Sequence, residues 1–310
     1  MIKKMGLLII TLFLILSLTA CGNKSGDASA KDKNTFESND KKIKVMTSFN
    51  ALSQFAKAVG KDKVDVQVIV PNGTEPHDFE PKPKDLANLS KAQIFIYNGF
   101  GMEGWVEKSL NAVNNKDLVV VEASKGCDPI KNTDEDSVKE HGQYDPHTWI
   151  SLSMAKIESK NIEEALIKVD PSNKDYYEKN YNEFASKLDA MLNEYKQKFS
   201  GVKNKNFVTG HAAFAYFCRD FNLNQNSVEN VFAEGEPTPK RMQKLIDYCK
   251  KNNVKTIFME DMASPKVSET LAKEVNAKVE KIYTTESQED GKDYLQSMKE
   301  NLEKVYESLK

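Results

Sequence analysis

Three of the four histidines in this chain lie in loops that border predicted strands. His77 follows the run VDVQVIVP, His147 lies in YDPHTWIS, and His211 follows the run NFVTG. In open α/β sheets, ligands bind beyond the carboxyl ends of the strands. Neutral imidazole is also the commonest protein ligand for zinc and its neighbours. We therefore expect the three rings, two from the first half of the chain and one from the second, to converge on one metal ion.

A three-histidine set needs one further ligand to complete a tetrahedron. A carboxylate would fill that position and would offset part of the charge of the cation. The candidates are Glu286, which follows the last predicted strand, and Glu260 or Asp261 in the segment FMEDMASP. Position in the sequence alone does not choose among these three acids.

Two acids flank the first histidine. Metal-bound histidines usually donate their other ring N–H to a carboxylate or a carbonyl. Glu75 or Asp78 could accept that hydrogen from His77, although the solubility of the loop explains both acids equally well. Pro76 restricts the backbone just before the histidine, which suits a preformed site.

Short apolar runs alternate with helical patterns in both halves of the chain. The first half contains the runs KIKVMTS, VDVQVIVP, QIFIYNG and LVVVEAS, and the second half contains NFVTG, SVENVF, TIFME and KVEKIYT. Runs of this kind are typical of strands that are covered on both faces, as in a parallel sheet. The chain is therefore predicted to be an α/β protein of two lobes, each a mainly parallel open β-sheet flanked by helices.

One long helix is predicted between the two halves. From Pro171 to Ser200 the chain has no Gly and no internal Pro, and its apolar residues recur at spacings of three and four. These apolar residues are Tyr177, Tyr181, Phe184, Leu188, Met191, Tyr195 and Phe199. The pattern predicts an amphipathic helix of about 28 residues, roughly 40 Å long. We expect this spine helix to join the two lobes, with the metal site in the cleft between them.

The start of the chain is typical of a secretory signal. It reads MIKKMGLLIITLFLILSLTAC, in which two lysines precede an apolar run that is too short to span a bilayer comfortably. Small residues before Cys21 resemble a bacterial lipobox, so this cysteine is expected to carry a lipid and to anchor the protein outside the cytoplasm. The predicted segments are a signal peptide (1–20), a lipidated disordered tether (21–42), an N-terminal α/β lobe (43–170), the spine helix (171–200) and a C-terminal α/β lobe (201–310).

Composition argues against two other classes of protein. The formal net charge is −2, and there is no basic cluster with interleaved aromatic residues, so a nucleic-acid partner is not expected. Besides Cys21 the chain has Cys127, Cys218 and Cys249, with no Cys-x-x-Cys pair. We therefore expect neither a disulfide framework nor a thiolate zinc finger, and interpret the three cysteines as buried small residues.

Five segments carry a resemblance to a known family. The segments NGTEPHDFEPKPKDL, NGFGMEGW, DPHTWIS, TGHAAFAYF and ESQEDGKDYLQSMKENL occur in the order of the signature segments of the zinc- and manganese-binding lipoproteins of bacterial ABC importers. This is the cluster A-I, or cluster 9, group of substrate-binding proteins, and the resemblance covers residues 42–310. It implies a monomer that holds a metal between two α/β lobes and delivers it to the membrane permease of an ABC importer. The ligands that it implies are His77, His147, His211 and Glu286.

The resemblance also bears on the choice of metal. Zinc-binding members of the family typically have histidine at the third ligand position, where manganese-binding members have glutamate, and this chain has His211. Imidazole favours zinc, whereas oxygen-rich ligand sets suit manganese. The prediction is Zn²⁺ rather than Mn²⁺, although affinity order alone leaves copper and nickel open. Many zinc members carry a histidine-rich loop before the second ligand, whereas the corresponding stretch here has only His141 and several acids. We interpret it as a mobile acidic loop, and a weak metal-capturing role is the alternative.

A dinucleotide-binding protein is one alternative. Gly99 to Gly104 spells GxGxxG after a predicted strand, and Glu122 follows about 20 residues later, at the spacing typical of a ribose-binding acid. The expected extracytoplasmic location, the position after the third strand and the negative charge of Glu103 all count against this interpretation. We predict that the segment forms part of the cleft wall.

A secreted zinc hydrolase is the other alternative. Such an enzyme would hold zinc on three protein ligands and leave one position for water. The sequence lacks both HExxH and GxSxG. A fourth protein ligand would close the site and argue against this class.

Overall fold

The structure is a computed structural model and describes residues 42–132, 138, 142–233, 238–261 and 265–310. The predicted signal peptide, Cys21 with the tether up to residue 41, and His141 lie outside these ranges. Within them, no helix combines the length and the apolar character that crossing a membrane would require.

The first lobe is built on a four-stranded parallel sheet in the order β2-β1-β3-β4. Its strands are β1 (Ile43–Thr47), β2 (Val64–Val68), β3 (Ile94–Tyr97) and β4 (Val119–Glu122), and its first helices are α1 (Asn50–Gly60), α2 (Pro83–Leu89) and α3 (Val106–Ala112). The central strand β3 is buried along Ile94, Phe95 and Ile96, whereas Val120 on the edge strand β4 is 42% exposed. The apolar runs thus mark strands covered by helices on both faces, as predicted.

The second lobe repeats this architecture with the strand order β6-β5-β7-β8, again all parallel. Its strands are β5 (Asn206–Thr209), β6 (Asn224–Ser227), β7 (Thr256–Met259) and β8 (Lys278–Lys281). The prediction of a strand over SVENVF is wrong, because β6 has the sequence NQNS and ends at Ser227. As an edge strand with exposed and half-buried residues it does not need an apolar run.

Two consecutive helices link the sheets. They are α4 (Leu152–Val169) and α5 (Lys174–Ser200), separated by a 3₁₀ turn (Pro171–Asn173). The hydroxyl of Ser151 accepts the backbone N–H of Met154 and caps the start of α4, a helix that the sequence analysis did not identify. The spine helix α5 has 27 residues and begins three residues later than predicted, because the segment from Pro171 forms the 3₁₀ turn instead.

Three helices flank the second sheet, and a fourth ends the chain. They are α6 (Ala215–Phe221), α7 (Pro239–Lys251), α8 (Pro265–Glu274) and the last helix α9 (Tyr294–Ser308). The side chain of Asp293 accepts the backbone N–H of Gln296, whose side chain in turn accepts the backbone N–H of Asp293. This reciprocal capping box fixes the start of α9.

A continuous hydrophobic core runs through both lobes along the spine helix. At one end Phe184 of α5 contacts Phe55 of α1, with ring centroids 5.9 Å apart. At the other end Phe199 contacts Phe221 of α6 at 5.3 Å. A smaller core lies within the second lobe alone and includes Leu245, Ile257 and Leu271. The spine helix therefore packs against both lobes rather than only connecting them.

Candidate metal site

The three predicted histidines converge where loops from both sheets meet. His77 lies in the loop between β2 and α2, His147 precedes a 3₁₀ turn (Thr148–Ile150), and His211 follows β5. One nitrogen from each ring can be chosen so that all three lie within 4.8 Å of one another. Nε2 of His77 and Nε2 of His147 are 3.3 Å apart. All three residues are buried, with exposed fractions of 9% or less.

The orientation of His147 is set by Asp145. Its Oδ1 lies 2.8 Å from Nδ1 of the ring and 2.9 Å from the backbone nitrogen of the same histidine. A carboxylate can only accept these hydrogens, so Nδ1 carries the proton and Nε2 keeps its lone pair. That lone pair faces His77, which is the arrangement found in carboxylate–histidine–metal sites. Sequence analysis did not identify Asp145, although it stands two residues before the histidine in YDPHTWIS.

A hydrogen bond within the second lobe fixes the orientation of the His211 ring. Its Nε2 donates to the carbonyl oxygen of Val231 at 2.8 Å, which leaves the lone pair on Nδ1 of the neutral ring. Burial, together with the neighbouring His147, lowers the pKa of His211 from 6.5 to about 3, so the ring is neutral throughout the physiological range. A neutral ring is the form that binds metals.

Of the three candidate acids, Glu286 faces the histidines. Its Oε1 lies 3.7 Å from Nε2 of His147, and its Oε2 accepts the hydroxyl of Thr284 at 2.8 Å. Oε1 is buried and has no hydrogen-bond partner among the residues that the structure describes. Burial raises the pKa of Glu286 well above 4.5, and the charges of Glu75 and Glu260 add to that effect. A buried carboxylate oxygen with no donor, beside imidazole lone pairs, fits a bound cation.

The other two acids have different roles. Both oxygens of Glu260 lie within 3.3 Å of the backbone nitrogen of His211, so this acid supports the main chain of that histidine. Burial raises the pKa of Glu260 from 4.5 to about 8. The side chain of Asp261 is 53% exposed and pairs with Lys281 at 3.7 Å. Geometry therefore distinguishes three acids that sequence position did not.

Glu75 lies on the face of His77 that points into the site. Its Oε1 is 3.9 Å from Nε2 of His77 and accepts the backbone N–H of the same residue at 3.3 Å. It is thus beside the nitrogen that faces His147, not behind the ring as one of our sequence-based interpretations supposed. Burial raises the pKa of Glu75 from 4.5 to about 7. Asp78, the other acid considered for that role, is exposed.

Aromatic rings surround the histidine cluster. Phe232 lies against His77 with centroids 5.1 Å apart, and Trp149 lies against His147 at 5.2 Å. Both aromatic residues are buried. They keep the local dielectric low, which strengthens the attraction between a cation and the carboxylates.

The GxGxxG segment supports the loop of His147 instead of binding phosphate. The carboxylate of Glu103 accepts the backbone N–H groups of Asn98 and Gly99 at 2.8 and 3.1 Å. These are donors of the kind that a pyrophosphate would need. The side-chain amide of Asn98 donates in turn to the carbonyl of Pro146 at 2.7 Å. Gly99 has a φ of 97°, and a Cβ there would lie 2.5 Å from a carboxylate oxygen of Glu122. The dinucleotide interpretation is therefore not supported.

Comparison with known proteins points to one family. The model of the family described as zinc-uptake complex component A, periplasmic (ZnuA), matches residues 45–308. The high-affinity zinc uptake system protein ZnuA of Bacillus subtilis (strain 168) is 37% identical, over 100% of this chain and 99% of that protein. The manganese ABC transporter substrate-binding lipoprotein PsaA of Streptococcus anginosus is 31% identical, over 99% of each. Among solved structures, a Zn(II)-bound mutant variant of AdcAII of Streptococcus pneumoniae matches with a TM-score of 0.79 and 32% identity, over 88% of this chain and 100% of that one.

Proposed function

The chain belongs to the zinc-uptake complex component A family, and from that premise we propose that it captures one Zn²⁺ ion and delivers it to the permease of an ABC importer. The family is one of transporter substrate-binding proteins and not of enzymes. The ion is the cargo, and its proposed ligands are His77, His147, His211 and Glu286.

The convergence of the three buried histidines is the observation that carries this proposal. Their candidate nitrogens lie within 4.8 Å of one another, and the buried Oε1 of Glu286 lies beside them with no hydrogen-bond partner in the described part of the chain. Three neutral imidazoles and one carboxylate make the four-coordinate N/O set that zinc prefers. Glu286 then fills the position that a zinc hydrolase would leave for water, so we do not favour that class.

The choice of zinc over manganese rests on the third ligand. Relatives of similar identity are named for zinc and for manganese, so the family alone does not choose the metal. His211 contributes a nitrogen where a carboxylate would make the set richer in oxygen. Nitrogen ligands suit zinc, and carboxylate-rich sets suit manganese.

We place the protein outside the cytoplasm, anchored by a lipid on Cys21 and working as a monomer. The lipobox-like sequence before Cys21 supports the anchor, and several relatives are named lipoproteins. Because the spine helix packs against both lobes, we infer that hinge motion is limited. Release of the ion would then require the permease to disturb a loop or a lobe.

Metal analysis and competitive titration of the purified protein test the proposal. We expect one zinc per chain, and we expect His211→Ala to weaken zinc binding by more than about 100-fold, beyond the effect typical of residues outside the ligand set. His141→Ala, which changes the one histidine outside the proposed set, is the matched control and should bind zinc like the wild type. Absence of stoichiometric metal would overturn the function, and tighter binding of manganese than of zinc would overturn the metal choice.

A further inference from the structure

Five protein groups lie around the same volume. That is one more than a tetrahedral zinc site requires. The additional group is Glu75, whose side chain is 23% exposed and whose Oε1 lies 3.9 Å from Nε2 of His77. Together with His77 and Glu286 it forms a second set of three ligand atoms, again within 4.8 Å of one another. The first set supplies three nitrogens, whereas this second set supplies two carboxylates and one nitrogen.

The distances are compatible with a shared ion. Two donors that each bind one metal at about 2.0–2.2 Å can be no more than about 4.4 Å apart. The three relevant separations are all shorter: 3.9 Å from Glu75 to His77, 3.3 Å from His77 to His147, and 3.7 Å from His147 to Glu286. These separations, together with mutual distances of up to 4.8 Å within the set of Glu75, His77 and Glu286, place both carboxylates and the two histidine rings around one volume.

Hydrogen bonds hold the two carboxylates in a fixed relation. The backbone N–H of Gly73, in the loop that carries Glu75, donates to the hydroxyl of Ser287 at 2.8 Å. From the other side, the backbone N–H of Gln288 donates to the side chain of Asn72 at 3.0 Å. These two hydrogen bonds link the loop that carries Glu75 to the segment that carries Glu286.

The segment that carries Glu286 is also hydrogen-bonded to α1. Asn50 donates its backbone N–H to the carbonyl of Glu286 at 3.1 Å. Its side-chain amide donates to the carbonyls of Thr285 and Ser287 at 3.1 and 3.0 Å. Glu286 follows the last strand of the second sheet, yet its main chain is bound to the first lobe, where Glu75 and His77 lie. The oxygen-rich set is therefore assembled on one lobe, and His211 is not needed to complete it.

We propose that Glu75 is a further metal ligand that determines specificity, giving the site an oxygen-rich side that accepts Mn²⁺. Zinc is satisfied by four ligands, whereas manganese prefers carboxylate oxygens and an octahedral set of six. Glu75 adds an oxygen that zinc does not need and manganese does. The inference rests on the proposed function, because it concerns a second cargo of the same site.

Binding of each metal alone to the purified protein tests the role of Glu75. We expect Glu75→Gln to weaken Mn²⁺ binding by at least about 10-fold and Zn²⁺ binding by less than about 3-fold, while His211→Ala should weaken zinc binding more than manganese binding. Glu80→Gln, in the same loop with a side chain that is 79% exposed, is the matched control and should change neither. The visible absorption spectrum of the Co²⁺-loaded protein should change to that of a lower coordination number in Glu75→Gln and stay unchanged in Glu80→Gln.

Several outcomes would overturn the inference without touching the proposed function. These are a wild-type protein that binds zinc but no manganese, equal losses for both metals in Glu75→Gln, or unchanged manganese binding in that variant. Glu75→Asp keeps the charge and withdraws the oxygen by one methylene, so it should lose part of the manganese affinity. Wild-type affinity in Glu75→Asp would show that Glu75 acts through charge alone and would also contradict ligation. Failure of the proposed function would instead appear as a wild-type protein that does not bind zinc.

Discussion

At the scale of single residues, Asp145 fixes the orientation of His147, one of the proposed metal ligands. Its Oδ1 lies 2.8 Å from Nδ1 of the ring and also accepts the backbone N–H of that histidine. The carboxylate therefore fixes both the tautomer and the direction of the ring. The site depends on this group even though it is not among the proposed ligands.

We predict that Asp145→Asn weakens zinc binding by roughly 10- to 100-fold without unfolding the protein. The amide keeps the shape of the side chain but removes the charge that supports the ring. Competitive zinc titration measures the effect, and circular dichroism checks the fold. Asp128→Asn is the matched control, because the side chain of Asp128 is 85% exposed and pairs with Arg219. Wild-type zinc affinity in Asp145→Asn would contradict the positioning role.

The convergence of the three histidines was predictable from the sequence, but the position of Asp145 beside His147 was not. Histidine is rare in this chain, and three of the four stand beside strand ends, so their convergence was predictable. Acids are common, with 46 Asp and Glu residues, so sequence position could not tell Glu286 from Glu260. That distinction depends on which carboxylate faces inward, which is decided by the main-chain hydrogen bond of His211 to Glu260 and by the packing of the segment around Glu286.

At the scale of secondary structure, the spine helix α5 makes the two lobes fold together. Its buried face contacts α1 at one end and α6 at the other, within a single core. Leu188 lies in the middle of this face and is 1% exposed. Unfolding one lobe would expose the apolar face of the helix, so the two lobes should lose their structure in one transition.

We predict that Leu188→Ala lowers the free energy of unfolding by about 2–5 kcal/mol, because it removes buried methyl groups and leaves a cavity. Urea denaturation followed by circular dichroism and by tryptophan fluorescence should give coincident transitions. Lys187→Ala, the exposed neighbour on the same helix, should change the free energy by about 0.5 kcal/mol or less. Two separate transitions would show that the lobes are energetically independent.

The elements that sequence patterns missed share a physical cause. The strand β6 lies at a sheet edge and has the polar sequence NQNS, so no apolar run marks it. Helix α4 buries Glu158 and Glu163 along with its apolar residues, which weakens its amphipathic pattern. Central strands and the spine helix were predictable because burial on both faces, or along one continuous face, leaves a regular apolar pattern.

At the scale of the whole molecule, burial of acids makes stability depend on pH. Burial raises the pKa of Glu103 from 4.5 to about 7 and that of Glu158 from 4.5 to about 8. A raised carboxyl pKa means that the folded state binds more protons than the unfolded state between these values, so stability falls as the pH rises. His211 acts oppositely but at lower pH, because its lowered pKa costs stability as the pH falls from 6.5 toward 3.

We predict that the metal-free protein is less stable at pH 8 than at pH 6.5, with Glu158 alone contributing roughly 1–2 kcal/mol of the difference. Thermal unfolding in the presence of a chelator measures the change. Glu158→Gln removes one of the titrating groups and should reduce the dependence between these two pH values, while groups such as Glu103 and Glu260 retain the remainder. Glu164→Gln, an exposed acid on the same helix, should leave it unchanged. A wild-type pH dependence in Glu158→Gln would contradict the assignment.

The three cysteines outside the signal region have a consequence for biogenesis. Cys127, Cys218 and Cys249 are buried and unpaired by disulfides, and burial raises the pKa of each thiol above its usual value of 9. At neutral pH they are therefore thiols and not thiolates, so they resist air oxidation and do not compete with imidazole for soft cations. Because these three cysteines form no disulfide in the structure, reaching the folded state requires no oxidation of sulfur.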